Sequence, residues 1–208
     1  MFLWFDCYRC GGHLRFLQHK LPAALGIGAL LKFAASLPTV LFALKGYQVQ
    51  RTKFGWYILL AIGLGMIADV SINICFAAGG IIFLLGHLLY DAAFLSESKP
   101  SARQVILWLG LSTLMLLPVY LLRDAIGSMI NSIGLLLYVS ILISTVVFSW
   151  SLEKQVFMAA LIFAFSDCFL LINNFFHGTV LMRILALLIY YGSLLLYGAA
   201  LWQRNYRA

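Results

Sequence analysis

Three aspartates lie inside long apolar segments of the sequence, where a charged side chain is costly. Asp69 lies in GLGMIADVSIN, Asp91 in GHLLYDAAFL and Asp167 in FAFSDCFLLINN. An ionisable residue within such a segment is rare and marks a functional site by default. Two buried carboxyl groups can divide acid and base work, because an apolar environment favours the protonated form of one of them. The chemistry indicated is therefore proton transfer or cation binding.

Other polar side chains share helix faces with these carboxyl groups. His87 precedes Tyr90 and Asp91 by three and four residues, so the three lie on one helix face. Asp91 could orient the imidazole or hold it protonated, whereas a structural histidine would only bond a carbonyl. Asp91 itself lies near the opposite end of its segment, and we interpret it as structural.

The last apolar segment and the one before it add further candidates. Tyr190, Ser193 and Tyr197 follow one another at helical spacing, either to pack helices or to bind a substrate. Asn174 shares a face with the preceding aspartate. Four side chains from four segments share one depth, roughly 8–14 Å from the same end of their helices: Asp69, His87, Asp167 and Tyr190. They form one layer, in which a buried pocket is expected.

The composition places this layer in a membrane. Of 208 residues, 63% are hydrophobic and 10% are charged, and the mean hydropathy is +0.99. A soluble domain of this size could not bury so much apolar surface, which excludes a soluble enzyme, a disordered chain and a nucleic-acid-binding module. The net charge of +7 is scattered over short connectors, as expected beside anionic lipid headgroups.

Apolar stretches of about twenty residues are long enough to cross a bilayer as helices. Seven are present, at roughly 21–44, 54–74, 79–95, 104–122, 132–150, 155–174 and 181–202. No alternating pattern typical of a barrel is seen, so we predict an all-α, polytopic transmembrane helix bundle over residues 21–202. Residues 1–20 are expected to form an interfacial segment or a shortened helix, and residues 203–208 a cytoplasmic tail.

Lysine and arginine divide unequally between the two ends of the predicted helices. One end carries Lys45, Arg51, Lys53, Lys99, Arg103, Lys154, Arg204 and Arg207. Only Arg123 and Arg183 flank connectors at the other end. Because cytoplasmic connectors are enriched in these residues, we expect a cytoplasmic C-terminus in a cell membrane, the inner membrane of a bacterium.

Metal-ligand residue types also occur near the start of the chain. The cluster consists of Cys7, Cys10, His13 and His19, but it lacks the longer gap that separates the two ligand pairs of a zinc finger. We therefore expect no metal site there. Motifs for a serine nucleophile elbow, an HExxH zinc helix and a phosphate loop are missing from the sequence.

Three stretches resemble a known family. GMIADVSI, FLLGHLLYDAAF and FAFSDCFLLINNF look like the signature blocks of the YhhN family, the lysoplasmalogenase-like membrane proteins. Those blocks read G-D followed by apolar residues, G-H-x-x-Y-x-x-A-F, and S-D-x-x-L-A, and the likeness covers roughly residues 28–201. The resemblance implies a polytopic helical protein that cleaves the vinyl-ether bond of lysoplasmalogens, releasing a fatty aldehyde and a glycerophospho-base.

Carried over residue by residue, the resemblance also implies a site. The family positions matched here are Asp69, His87, Tyr90 and Asp167, with the two aspartates as the catalytic acids. Lys32, in ALLKFAASLP, resembles a family lysine that precedes an apolar helix with proline, although Lys20 competes for that match. The sequence departs from the family where Ala68 replaces a glycine and where Gly192 and Ser193 replace Ala-Gln.

This chemistry explains why two carboxyl groups are needed. A vinyl ether hydrolyses by protonation of its β-carbon, which gives an oxocarbenium ion that water captures. One carboxylic acid can donate the proton, and a carboxylate can stabilise the cation, as in glycoside hydrolysis. Asp167, the deeper residue, is the candidate acid and Asp69 the candidate base, or the reverse. His87 and Tyr90 would orient water or glycerol oxygens, and no step needs a metal or cofactor.

Two other classes of function stay open from the sequence. One is a zinc-dependent hydrolase of membrane lipids, which would need three ligands, although His87 is the only histidine deep in a segment. The other is a lipid or solute carrier whose acids bind protons or cations, although neither inverted repeats nor broken helices are evident. The expected partners are a lysophospholipid substrate and membrane lipids, not nucleic acid.

The charge distribution predicts the orientation of the C-terminus. A phosphatase reporter, which is active only outside the cytoplasm, should be inactive when it is fused after Ala208. A fluorescent reporter that matures in the cytoplasm should be bright at the same site. An active phosphatase and a dark fluorescent fusion would reverse the orientation.

Overall fold

The computed structural model describes residues 21–126, 129–175 and 179–205, and these residues form helices and short connectors without a strand. The helices are α1 (Leu21–Val49), α2 (Lys53–Ile74), α3 (Phe76–Glu97), α4 (Ala102–Leu114), α5 (Leu116–Leu121), α6 (Arg123–Ile126), α7 (Met129–Ser149), α8 (Lys154–Phe175) and α9 (Val180–Asn205). Seven spans among the described residues are long and apolar enough to cross a membrane. The predicted all-α class is confirmed. The expected segment at residues 1–20 lies outside the described residues.

The fourth span is divided between two helices, which the hydropathy pattern did not predict. It covers Ala102–Leu121, but α4 ends at Leu114 and α5 begins at Leu116. Proline at position 118 explains the break, because it has no N–H for the carbonyl of Leu114 and its ring clashes with that carbonyl. Hydrogen bonds on either side, including Val119 N–H to the Met115 carbonyl at 3.3 Å, keep the span continuous.

Six of the spans form a closed ring. Helix α1 packs on α2, α2 on α3, α3 on α7, α7 on α8, α8 on α9, and α9 on α1. The fourth span packs on α7 from outside this ring, and three polar contacts attach α4 there. Trp108 Nε1 donates to the Ser140 carbonyl at 2.9 Å, and Gln104 Nε2 donates to the Val147 carbonyl at 2.9 Å. The hydroxyls of Ser112 and Ser140 lie 3.0 Å apart.

Aromatic side chains fill the interior of the ring. The rings of Tyr90 and Tyr197 stack with centroids 4.2 Å apart, and Phe163 packs edge-on against Tyr190 at 5.3 Å and His87 at 4.7 Å. All five side chains are buried. The bundle is therefore packed through its middle and is not a pore.

An ion cluster joins three segments at the end of the bundle that carries the C-terminus. Arg204 of α9 contacts Glu97 of α3 at 3.1 Å and Glu153, just before α8, at 2.7 Å. Its guanidinium also lies 3.7 Å from the ring centroid of Phe54 on α2. This cluster holds the helix ends that lie opposite the candidate site.

Candidate functional site

A cavity of about 490 Å³ lies between α1, α2, α3, α8 and α9. It lies toward the end of the bundle where α2 and α8 end and α9 begins. Ionisable and amide side chains line it, and they are Lys32, Asp69, Asn73, Asp167, Asn173 and Arg183. Its volume is in the range of small-molecule sites. The structure thus brings both predicted aspartates and the predicted lysine to one space.

Asp69 is held by side chains from two neighbouring helices. Ser36 Oγ of α1 donates to Asp69 Oδ2 at 2.8 Å, and the Tyr191 hydroxyl of α9 donates to the same oxygen at 3.4 Å. Asn73 donates to the backbone carbonyl of Asp69 at 2.7 Å, so it supports the last turns of α2 rather than the carboxyl group. Lys32 lies one turn before Ser36 on α1 and faces the same cavity.

Asp167 is held from the other side of the cavity. The Tyr138 hydroxyl of α7 donates to Asp167 Oδ2 at 2.6 Å, and His87 Nε2 of α3 lies 3.1 Å from the same oxygen. His87 is 1% exposed and Asp167 is 2% exposed. With Nε2 protonated, both neighbours donate to Oδ2. Asp167 Oδ1 is then the oxygen left for a ligand in the cavity.

The predicted tyrosines and serine of this region lie at different distances from the cavity. Tyr190 lines it, and its buried hydroxyl has no hydrogen-bond partner among the described residues. Ser193 is buried outside the lining and donates to the Tyr190 carbonyl at 2.6 Å within α9. Tyr90 also lies outside the lining, stacked on Tyr197. Ser193 and Tyr90 therefore support the residues behind the cavity.

The remaining candidates from the sequence are Asn174 and Asp91. Asn174 lies in the last turn of α8, and its side chain is outside the part of the chain that the structure describes. Its neighbour Asn173 lines the cavity. Asp91 lies outside the lining. Ser144 of α7 donates to its Oδ2, and its buried Oδ1 meets no hydrogen-bond geometry with the residues that the structure describes.

Sequence reasoning missed the residues that hold the two carboxyl groups. Ser36, Tyr138 and Tyr191 all donate to them. Weak signals exist, because Ser36 follows Lys32 by one helical turn and Tyr138 is an isolated phenol in the apolar run GLLLYVS. Periodicity gives the face of one helix, but it does not say which helix that face meets.

Within the described residues, no three histidine, cysteine or carboxyl side chains lie close enough together to hold a metal ion. The cluster of Cys7, Cys10, His13 and His19 falls outside those residues. The described cavity therefore offers carboxyl, amide, phenol and cationic groups for ligand binding.

Comparison with known proteins identifies the family of the chain. Residues 27–200 match the model of the YhhN family, so the chain belongs to that family. The matched range contains every lining residue of the cavity. No curated protein and no solved structure matches the chain.

The close packing of α2 against Tyr190 leads to a stability prediction. A Cβ atom added at Gly65 would lie 2.7 Å from the Tyr190 hydroxyl, whereas one added at Gly63 on the same helix would meet nothing within 4 Å. Gly65→Ala should therefore destabilise the fold by about 1–3 kcal/mol, the usual cost of overpacking. Gly63→Ala is the matched control. Equal melting temperatures of the two variants in detergent would contradict this packing.

Proposed function

We propose that this YhhN-family protein is a membrane-embedded hydrolase that cleaves the vinyl-ether bond of lysoplasmalogens. The products would be a fatty aldehyde and a glycerophospho-base. The observation that carries the proposal is the meeting of Asp69 and Asp167 in one cavity among apolar helices. The reaction needs a proton donor and a negative charge at the same place, and two buried carboxyl groups can supply both.

The proposed reaction proceeds in three steps. A carboxylic acid gives its proton to the β-carbon of the alkenyl chain, and the positive charge that develops on the ether carbon and oxygen is stabilised by the second carboxylate. Water then adds to the α-carbon and returns a proton to the enzyme. The resulting hemiacetal separates into the aldehyde and the free hydroxyl of the glycerophospho-base.

Hydrogen bonding suggests how the two aspartates divide these roles. The Tyr138 hydroxyl donates to Asp167 Oδ2, and His87 Nε2 lies 3.1 Å from the same oxygen, so this carboxyl group is held in place from two sides. We therefore assign Asp167 as the group that stabilises the cation and positions water. We assign Asp69, which accepts hydrogen bonds from Ser36 and Tyr191, as the proton donor. This is the reverse of the order that depth alone suggested, and it is the alternative that the sequence left open.

The cations of the cavity fit the other end of such a substrate. Lys32 and Arg183 line it, and Arg183 lies in the first turn of α9, nearest the helix end. A guanidinium and an ammonium recognise a phosphodiester through charge-assisted hydrogen bonds. Leu170 and Leu187 belong to the apolar part of the lining. The phosphate would lie toward the helix ends, and the vinyl ether toward the two aspartates.

Exchange of each aspartate for asparagine tests the proposal most directly. Asp69→Asn and Asp167→Asn should each lower turnover of a lysoplasmalogen at least about a hundredfold, the usual scale for loss of a general acid or base. Asp91→Asn should cost much less, because Asp91 lies outside the cavity. Asparagine keeps the shape of the side chain and most of its hydrogen bonds. The measurement is release of free aldehyde by the three purified variants at matched folded fraction.

Three outcomes would contradict the proposal. The site would lie in the other half of the bilayer if Asp69→Asn and Asp167→Asn released aldehyde at near-normal rates and Asp91→Asn were inactive. Loss of wild-type activity on chelation and its return with zinc would favour a metal-dependent lipid hydrolase. Movement of the lipid across a vesicle membrane without aldehyde would favour a carrier.

The hydrogen bond from Tyr138 leads to a finer prediction. Tyr138→Phe removes the donor at 2.6 Å from Asp167 Oδ2 while keeping the ring, so it should lower kcat about tenfold and leave KM nearly unchanged. Tyr197→Phe is the control, since that hydroxyl is buried, has no partner among the described residues and lies outside the cavity. Equal kcat values for the two variants would exclude a positioning role for Tyr138.

A further inference from the structure

A second concave surface lies at the opposite end of the molecule from the aspartates. This groove has a volume of about 770 Å³ and runs along the outside of the bundle, between the start of α4 and the end of α7. Its upper part is formed by the connectors that follow α3 and α7, and its lower part by the first two turns of α4. Lys99, Arg103, Ile106, Leu107 and Trp150 are among its lining residues.

The groove has positively charged side chains and no acidic ones in its lining. Lys99 and Arg103 are exposed, and no lining residue is acidic. The acids of the neighbouring segments, Glu97 and Glu153, are both bound to Arg204. They are therefore engaged elsewhere, and the positive potential of the groove is not cancelled by a carboxylate in its lining.

The apolar part of the groove lies directly below these cations. Ile106 is 70% exposed and Trp150 is 63% exposed, as expected for side chains on the lipid-facing side of a membrane bundle. Tryptophan rings favour the level of the lipid headgroups. The cations at the helix ends and the apolar side chains further along α4 thus match, in order, a phosphate and the chains attached to it.

The backbone around the groove is fixed before any ligand binds. Ser101 and Gln104 form reciprocal hydrogen bonds that cap the start of α4. Gln104 also donates through Nε2 to the Val147 carbonyl at 2.9 Å, which ties α4 to α7. Because these contacts set the spacing of the two walls, a ligand would not have to open the groove.

We propose that this groove binds one anionic phospholipid of the surrounding membrane. Its phosphate lies between Lys99 and Arg103, and an acyl chain lies against Ile106 and Leu107. Basic pockets between membrane helices recognise anionic headgroups in this way. The site is separate from the cavity of the two aspartates, and it stands whether or not the protein hydrolyses a lysoplasmalogen.

Native mass spectrometry of the full chain tests this site. The protein is released from mixed micelles that contain equal amounts of phosphatidylglycerol and phosphatidylcholine. One phosphatidylglycerol molecule should be retained in preference to phosphatidylcholine. The double variant Lys99→Gln/Arg103→Gln should lower that preference at least about tenfold, because each cation near the headgroup contributes to the attraction. The control Lys45→Gln/Lys53→Gln removes two exposed cations from the same end of the bundle and should keep the preference.

A substitution that does not change the charge tests the apolar part of the groove independently of its cations. Ile106→Trp fills the apolar part and should also reduce retention, whereas Ile133→Trp, on the exposed surface of α7, should not. The proposal would be overturned if the two charge variants lost the lipid preference equally. It would also be overturned if Ile106→Trp retained the lipid, or if the wild-type protein showed no preference for phosphatidylglycerol. Displacement of the lipid by glycerol 3-phosphate alone would overturn it too, since the site would then bind a free phosphate.

Discussion

The need to satisfy two carboxyl groups inside an apolar helix bundle governs the arrangement of the helices around them. A buried carboxyl group without hydrogen bonds costs several kcal/mol, on the order of the total stability of a domain. Asp69 of α2 takes its hydrogen bonds from α1 and α9, and Asp167 of α8 takes its own from α7 and α3. Each helix of the ring therefore contributes either an aspartate or a donor. The same contacts that close the ring also fix the site.

Aromatic side chains form the inner wall of the cavity. Phe83 and Tyr190 line the cavity, and Phe163 packs against both of them. Further rings, those of Tyr90 and Tyr197, continue the stack away from the cavity. Close-packed rings leave little space for water between the cavity and the other end of the bundle. The aromatic rings therefore shield the inner side of the cavity from the opposite end of the bundle.

The sequence predicted features that depend on a single helix, but it did not predict the contacts between two helices. Hydropathy predicted the seven spans, and the cost of a carboxylate in an apolar segment identified Asp69 and Asp167 as candidates. The break near Met115 was missed because Pro118 acts through local backbone geometry, which a hydropathy average does not contain. The donors Ser36 and Tyr138 were missed for a different reason. A serine or tyrosine in an apolar helix is ordinary until the neighbour that it faces is known, and the neighbour is set by the order of helices in the ring.

The two aspartates of the cavity have different partners. Asp167 Oδ2 accepts a hydrogen bond from the Tyr138 phenol and lies 3.1 Å from His87 Nε2. Asp69 accepts one short bond from a serine, and its second donor, Tyr191, is 3.4 Å away. Lys32 lines the same cavity, and its charge acts on Asp69. In the hydrolysis that we propose, a substrate phosphate beside Lys32 would compete with Asp69 for that charge, so the headgroup and the reacting acid would be coupled through one lysine.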